Sequence, residues 1–246
     1  MNWPTLLVLA TVASTAAPAR AAPAVASRAR PPIVVLDPGH GGTNLGAAGV
    51  TGLHEKQLSL TLATAVADRL RIRGIAVQLT RSEDRTLTLR QRVAFADQLP
   101  ADLFVSIHAN ASPTRTQHGY ETYVLTARGI DIDGRALRSD TTTPRPGVEP
   151  DIGLVLDDIE RGAAQWESAD LAARVQRALH DRRGPDGDRG VRQDAQHVLL
   201  GATMPAVLVE VGFIDHPIEG HQLTDPTVQS QLADAIADAI ADQLAD

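Results

Sequence analysis

No cysteine occurs anywhere in the chain. That excludes disulfides, cysteine-held zinc, thiolate nucleophiles and iron–sulfur clusters together, so any metal must be held by His, Asp and Glu. Aromatic residues are also scarce, with three Phe, two Trp and two Tyr, too few for the stacking platforms that hold single-stranded nucleic acid. Basic residues are outnumbered: 23 Lys and Arg against 30 Asp and Glu leave a formal charge of −7. No nucleic-acid partner is expected, because such binding needs a positive field. Lysine is nearly absent, Lys56 standing alone among arginines, which reads as codon bias rather than function. What remains is ordinary globular composition, 43% apolar and 22% charged over 246 residues, consistent with one or two domains and not with a collagen, a coiled coil or bulk disorder.

Long apolar runs are missing too. The run PTLLVLATVA at 4–13 is too short to span a bilayer as a mature helix. It is followed by a small-residue stretch in which Ala19-Arg20-Ala21 fits an A-x-A cleavage site. Residues 1–21 therefore read as a secretory signal peptide, although no Lys or Arg precedes the apolar run. Residues 22–32 read as a linker and 33–246 as one folded domain. The expected location is the periplasm or the exterior, with no membrane insertion after cleavage and, for want of cysteine, no lipid anchor.

From Pro31 onward apolar strand runs alternate with helical periodicity. Strands are expected at 33–36, 75–79, 103–107, 120–125, 197–200 and 206–211. Leu58, Leu62, Val66 and Leu70 recur every four residues and predict a helix over 55–72, closed by arginines and Gly74. Further helices are expected around Leu89–Ala96, around Leu171–Leu179, and after Asp225-Pro226. The alternation points to an α/β domain with a sheet of about six strands and helices on both faces. Residues 126–165, rich in Gly, Pro, Thr, Asp and Arg, read as a long loop or regulatory insert. A short helix is conceivable there at 151–161, limited by Pro144, Pro146 and Pro150.

Three residues able to do chemistry sit at or near strand ends: His40 in LDPGHGG, His108 in SIHAN and Glu210 in VLVEVGF. Ligands of open α/β sheets bind beyond the carboxyl ends of the strands, which would bring His40 and His108 to one crevice. Glu55 starts the next helix and can return its carboxylate there, although alone it would simply favour a helix N-terminus. Glu210 lies among Val207, Leu208, Val209 and Val211, where a carboxylate is expensive unless paired or functional. Two His and a carboxylate make an open hydrolytic zinc site, and a second, unligated carboxylate makes its general base. Spacing does not say which of Glu55 and Glu210 takes which part. Asp37 is a candidate for orienting His40 from behind, and Asn110 for donating to substrate. Arg81, Arg85, Arg90 and Arg92 read as a solvated helix face.

The blocks LDPGHGG, GLHEKQLSL, LTRSEDRTLTLRQRVAFAD, DLFVSIHANAS, GYETYVL, RGVRQD and MPAVLVEVGFIDH together resemble the zinc-dependent N-acetylmuramoyl-L-alanine amidases of the amidase-3 type, from about Ile33 to Ile240. The resemblance implies Zn2+ held by His40, Glu55 and His108, and Glu210 as the catalytic glutamate. It also implies hydrolysis of the amide between N-acetylmuramic acid and L-alanine in peptidoglycan, and a mixed, mostly parallel sheet wrapped by helices. The implied role is cell-wall remodelling, daughter-cell separation or recycling. It departs at Asn44, where many relatives carry Asp, read as a loop-fixing difference, and at His216, where Asn is frequent. Some relatives carry an occluding helix displaced by an activator protein, so an activator acting on 126–165 is an expected partner beside peptidoglycan. A monomer is expected. Two other readings share these residues: a zinc peptidase cutting within the stem peptide, and an inactive peptidoglycan-binding or regulatory protein.

Overall fold

A computed structural model describes residues 30–125, 150–194 and 197–245. The expected signal peptide, most of the linker and residues 126–149 lie outside them. Six strands form one sheet: β1 (Ile33–Pro38), β2 (Ala76–Leu79), β3 (Leu103–Asn110), β4 (Tyr120–Leu125), β5 (Asp188–Asp194) and β6 (Ala206–Phe213), in the order β2-β1-β3-β6-β4-β5. β2, β1, β3 and β6 run parallel. β4 is antiparallel to β6, and β5 is parallel to β4. The expected α/β class, mixed and mostly parallel with about six strands, is the class observed.

The central strands are buried on both faces. Val34, Val35, Leu36, Phe104, Val105, Val207 and Val209 are all at 0% exposure, as parallel strands covered by helices on both sides require. One face packs against α1 (Glu55–Ile72), α3 (Pro150–Arg183) and α5 (Pro226–Ala245), and holds the larger core. The other face carries α2 (Leu89–Asp97) and a 3-10 turn at His197–Leu199 over a smaller core around Val35, Phe104, Leu199 and Leu208. A four-residue helix, α4 (Glu219–Gln222), precedes α5.

The helix ends follow from local chemistry. α1 presents Leu58, Leu62, Val66 and Leu70 to the core. It closes with Gly74 at φ 78°, Ile75 N–H donating to Leu70 O and Gly74 N–H to Arg71 O, a Schellman cap. α2 opens on a reciprocal pair: Gln91 N–H donates to Thr88 Oγ1 at 3.2 Å, and Thr88 N–H to Gln91 Oε1 at 2.9 Å.

Two expectations change. The fifth strand is Asp188–Asp194, not 197–200, which is instead a 3-10 turn. DRGVRQD is a largely exposed edge strand, so it lacks the apolar alternation that betrays half-buried strands. The second change is α3, a 34-residue helix that begins at Pro150. The proline that was read as limiting a helix opens this one, where its missing N–H has no partner to lose. Only the earlier part of the expected insert, residues 126–149, is left outside the description.

Candidate active site

The parallel strands β1 and β3 deliver His40 and His108 from their carboxyl ends. β1 leads into the turn 39–42, where His40 takes φ 58°, an uncommon backbone for a residue with a Cβ. Two buried arginines account for it. Arg92 Nη2 takes the carbonyl of His40 at 2.6 Å, and Arg92 Nη1 that of Pro38 at 2.8 Å. Arg81 Nη2 takes the Gly39 carbonyl at 2.6 Å, and Arg81 Nε that of Pro38 at 2.9 Å. Three successive carbonyls are thus held by two guanidiniums at 0% and 3% exposure. The reading of Arg81 and Arg92 as a solvated face was wrong. Arg92 also pairs with the fully buried Asp37 at 2.7 Å, and Asp37 takes further hydrogen bonds from Thr80 and Ser106 hydroxyls at 2.5 and 2.8 Å. Asp37 therefore reaches His40 only through Arg92 and the backbone.

Glu55, the first residue of α1, lies between the two imidazoles. Its Oε2 is 3.0 Å from His40 Nε2, and its Oε1 is 2.8 Å from His108 Nδ1. Ala47 and Ala109 N–H groups donate to the same carboxylate at 2.9 and 3.1 Å. Ligating atoms from His40, Glu55 and His108 all lie within 4.8 Å of one another, the only such group among the described residues. Burial alone would push the Glu55 carboxyl up. The hydrogen bonds from His108 and His40 outweigh it and hold the group well below the usual carboxylate range. Burial pulls the His40 imidazole down, and the neighbouring Glu55 outweighs that too, leaving it raised. The far side of the His40 ring is fixed by Asn44, whose Oδ1 is 2.9 Å from Nδ1; Asn44 thus does for the ring what a carboxylate does in other His-held metal sites.

The backbone around this trio leaves no room for a methyl group. A Cβ on Gly46 would stand 2.6 Å from Glu55 Oε2 and 2.7 Å from His40 Cδ2, and one on Gly39 would stand 2.3 Å from the His108 ring. Glycine here lets the chain approach the side chains that converge. Two imidazoles, one carboxylate and this close cradle fit a divalent metal of the hydrolytic zinc type.

Glu210 sits on β6 directly beside His108 in the ladder, just before a register shift between His108 and Asn110, the kind of irregularity that re-aims side chains next to sites. Its Oε2 is shut off from solvent with no hydrogen-bond partner among the described residues. Burial pushes its carboxyl well above the ordinary value, reinforced by the charges of Glu55 and Glu121. A carboxylate oxygen buried without a partner costs stability, and a half-buried acid of this kind is a signature of a group kept for chemistry.

Asn110 spends Nδ2 on Glu121 at 2.8 Å and Oδ1 on the N–H of Ala111 at 2.9 Å, so here it ties β3 to β4. Sequence reasoning missed Glu121, which pairs across the ladder with Glu210. It also missed Glu219, whose Oε2 accepts from the N–H groups of Phe213 at 2.7 Å and Gly119 at 2.9 Å and so fixes β4 against the end of β6. The signal for Glu121 was its place in an apolar strand run, GYETYVL. Glu219 opens the short α4 in a polar stretch of sequence and had none.

The family model for N-acetylmuramoyl-L-alanine amidase matches residues 34–242. The chain is 33% identical over 212 residues to the N-acetylmuramoyl-L-alanine amidase AmiA of Escherichia coli strain K12, covering 83% of this chain and 73% of that one. Among solved structures, the amidase AmiC2 of Nostoc punctiforme superposes with a TM-score of 0.67 at 30% identity, over 87% of this chain and 98% of its own. The catalytic domain of the amidase CwlV from Bacillus (Paenibacillus) polymyxa var. colistinus does so with a TM-score of 0.64 at 32% identity, over the same shares.

Proposed function

We propose, from the premise that the chain belongs to the N-acetylmuramoyl-L-alanine amidase family and is a hydrolase of peptidoglycan, that it cuts the muramoyl–alanine amide with zinc held by His40, Glu55 and His108 and with Glu210 as the proton carrier. The observation that carries the reading is the convergence of those three ligating groups beside Glu210 on the next strand, whose Oε2 has no partner among the described residues. When bound, zinc supplies Lewis acidity to the scissile carbonyl and to the attacking water.

The remaining work falls to the chain. Glu210 takes the proton of the attacking water on its carboxylate and returns it to the departing alanine nitrogen. Its raised proton affinity suits both halves of that exchange, since an acid–base group works best with a pKa near the operating pH. Glu55, held ionised, binds as a carboxylate rather than shuttling protons, which separates the parts of the two glutamates. Asn44 keeps the His40 ring turned, and Arg92 with Asp37 keeps its backbone in place. Asn110 and Asp37 enter as holding residues.

Export belongs to the same proposal: residues 1–21 as a signal peptide, 22–32 as a linker, and action in the cell envelope. Among the described residues no helix is long and apolar enough to cross a membrane. An activator protein acting on residues 126–165 remains part of the proposal, with 126–149 outside the described residues.

The test is metal content. The purified chain should carry one zinc per molecule by elemental analysis. Chelation should abolish release of stem peptides from peptidoglycan, and zinc should restore it. Substitution His108→Ala should remove both metal and activity. Full activity in a metal-free preparation would overturn the reading.

A further inference from the structure

The sheet face that carries His108 and Glu210 continues across β4 to the edge strand β5, where two arginines converge on Glu121. Glu121 is 2% exposed. Its carboxylate receives Asn110 Nδ2 at 2.8 Å, the Tyr123 hydroxyl at 3.0 Å, Arg189 Nε at 2.9 Å and lies 3.4 Å from Arg192 Nε. Two guanidiniums thus meet at one carboxylate oxygen.

The two arginines differ. Arg189 is tied down, with Nη2 donating to Gln117 Oε1 at 3.3 Å and its guanidinium 5.0 Å from the centre of the Phe213 ring. Arg192 is 50% exposed, and beyond its long contact with Glu121 its guanidinium has no partner among the described residues. Asp194, two residues further along β5, has an interaction of its own. A half-exposed arginine braced at Nε leaves its two outer nitrogens as a planar fork, the geometry that matches a carboxylate.

We infer that Arg192, braced through Glu121 and Arg189, binds a free carboxylate of the stem peptide one residue beyond the alanine whose amide is cut. The inference rests on the amidase reading and names what that site selects. Spacing supports it. β6 and β5 are two strand steps apart, about 10 Å. An extended peptide advances ~3.5 Å per residue. Two residues past the scissile carbonyl, plus the carboxylate and its hydrogen bond of about 2.8 Å, cover that span. A carboxamide in the same place would set an NH2 donor against guanidinium donors and remove the charge.

The experiment compares muramoyl-L-alanyl-γ-D-glutamyl-L-lysine with muramoyl-L-alanyl-γ-D-isoglutaminyl-L-lysine, in both of which the γ-carboxyl is bonded to the third residue, so that they differ only in carboxylate against carboxamide at the second. Cleavage by the metal-loaded protein is followed by mass spectrometry. Wild type should prefer the acid by about tenfold in kcat/KM, the preference shrinking in high salt as screening weakens the pair. In Arg192→Gln the preference should fall to near one, through loss on the acid, and Arg192→Lys should keep part of it. The amide substrate serves as the internal reference within each variant, so a folding defect would lower both rates together. Equal rates on both substrates in wild type, or an unchanged preference in Arg192→Gln, would overturn the inference while leaving the amidase reading intact. Cleavage of neither muramoyl bond would remove the amidase reading and this inference with it.

Discussion

Replacing Gly39 with alanine should damage the metal centre without breaking the sheet. The added Cβ would stand 2.3 Å from His108 Cε1, with Nε2 and Nδ1 at 2.5 and 2.6 Å. Restoring an ordinary contact of at least 3.4 Å means moving the ring by about 1 Å. His108 is 16% exposed at its side chain, so it can swing toward the open side rather than force β1 and β3 apart. Displacements of that size cost roughly 100-fold in rate, and misdirected ligands cost about 10–100-fold in metal affinity. The assay is zinc affinity by competition with a chromophoric chelator, beside peptidoglycan hydrolysis and thermal melting of the metal-free protein. Gly52→Ala is the control: its φ is 83°, yet nothing lies within 4 Å of its Cβ. It should cost roughly 1 kcal/mol of stability and leave zinc affinity unchanged. Gly39→Ala with zinc affinity within twofold of wild type would refute the reasoning, because the ring could then be moved without consequence.

Three further outcomes are expected. Arg92→Met should strand the buried Asp37 carboxylate and lower stability by about 3–5 kcal/mol in urea unfolding, with the double substitution Arg92→Met/Asp37→Asn costing less than the sum of the single ones. Glu210→Gln should stabilise the chelator-treated protein increasingly as pH rises above about 4: with its folded value raised, the wild-type carboxyl binds its proton more tightly folded than unfolded, so its contribution is whole below the unfolded value of about 4.3 and lost as pH rises. A pH-independent difference would contradict the assignment. Zinc added to the metal-free chain should raise the melting temperature through mass action on the folded state, and it should fail to do so in Glu55→Ala.

The site was legible in the sequence where its chemistry clashes with its surroundings. Glu210 stood out because it interrupts Val207–Val211, and His40 because three glycines bracket it. Glu55 and Glu210 could not be told apart by spacing, since their difference lies in partners: Glu55 collects four donors, and Glu210 Oε2 collects none among the described residues. Arg81 and Arg92 were misread because a chain that uses arginine for nearly every positive charge gives no local sign of which ones are buried. What buries them is the set of carbonyls turned inward at Pro38–His40, a tertiary feature. β5 escaped notice for a related reason: an edge strand with polar faces is recognised by its neighbour β4, not by its own pattern. The interior strands, as continuous apolar runs, and α1, with its 3.6 period, were readable throughout.

If Glu210 moves the proton in hydrolysis of the muramoyl–alanine amide, its loss must slow the reaction without removing the metal. The direct measurement is digestion of peptidoglycan by the zinc-loaded chain and by Glu210→Gln, with products identified by mass. Intact stem peptides with free L-alanine amino termini are expected from the wild type, and a rate lower by roughly 100-fold or more from the variant, with zinc content equal in both. Stem peptides shortened from within, or a variant as fast as wild type at equal zinc, would contradict it.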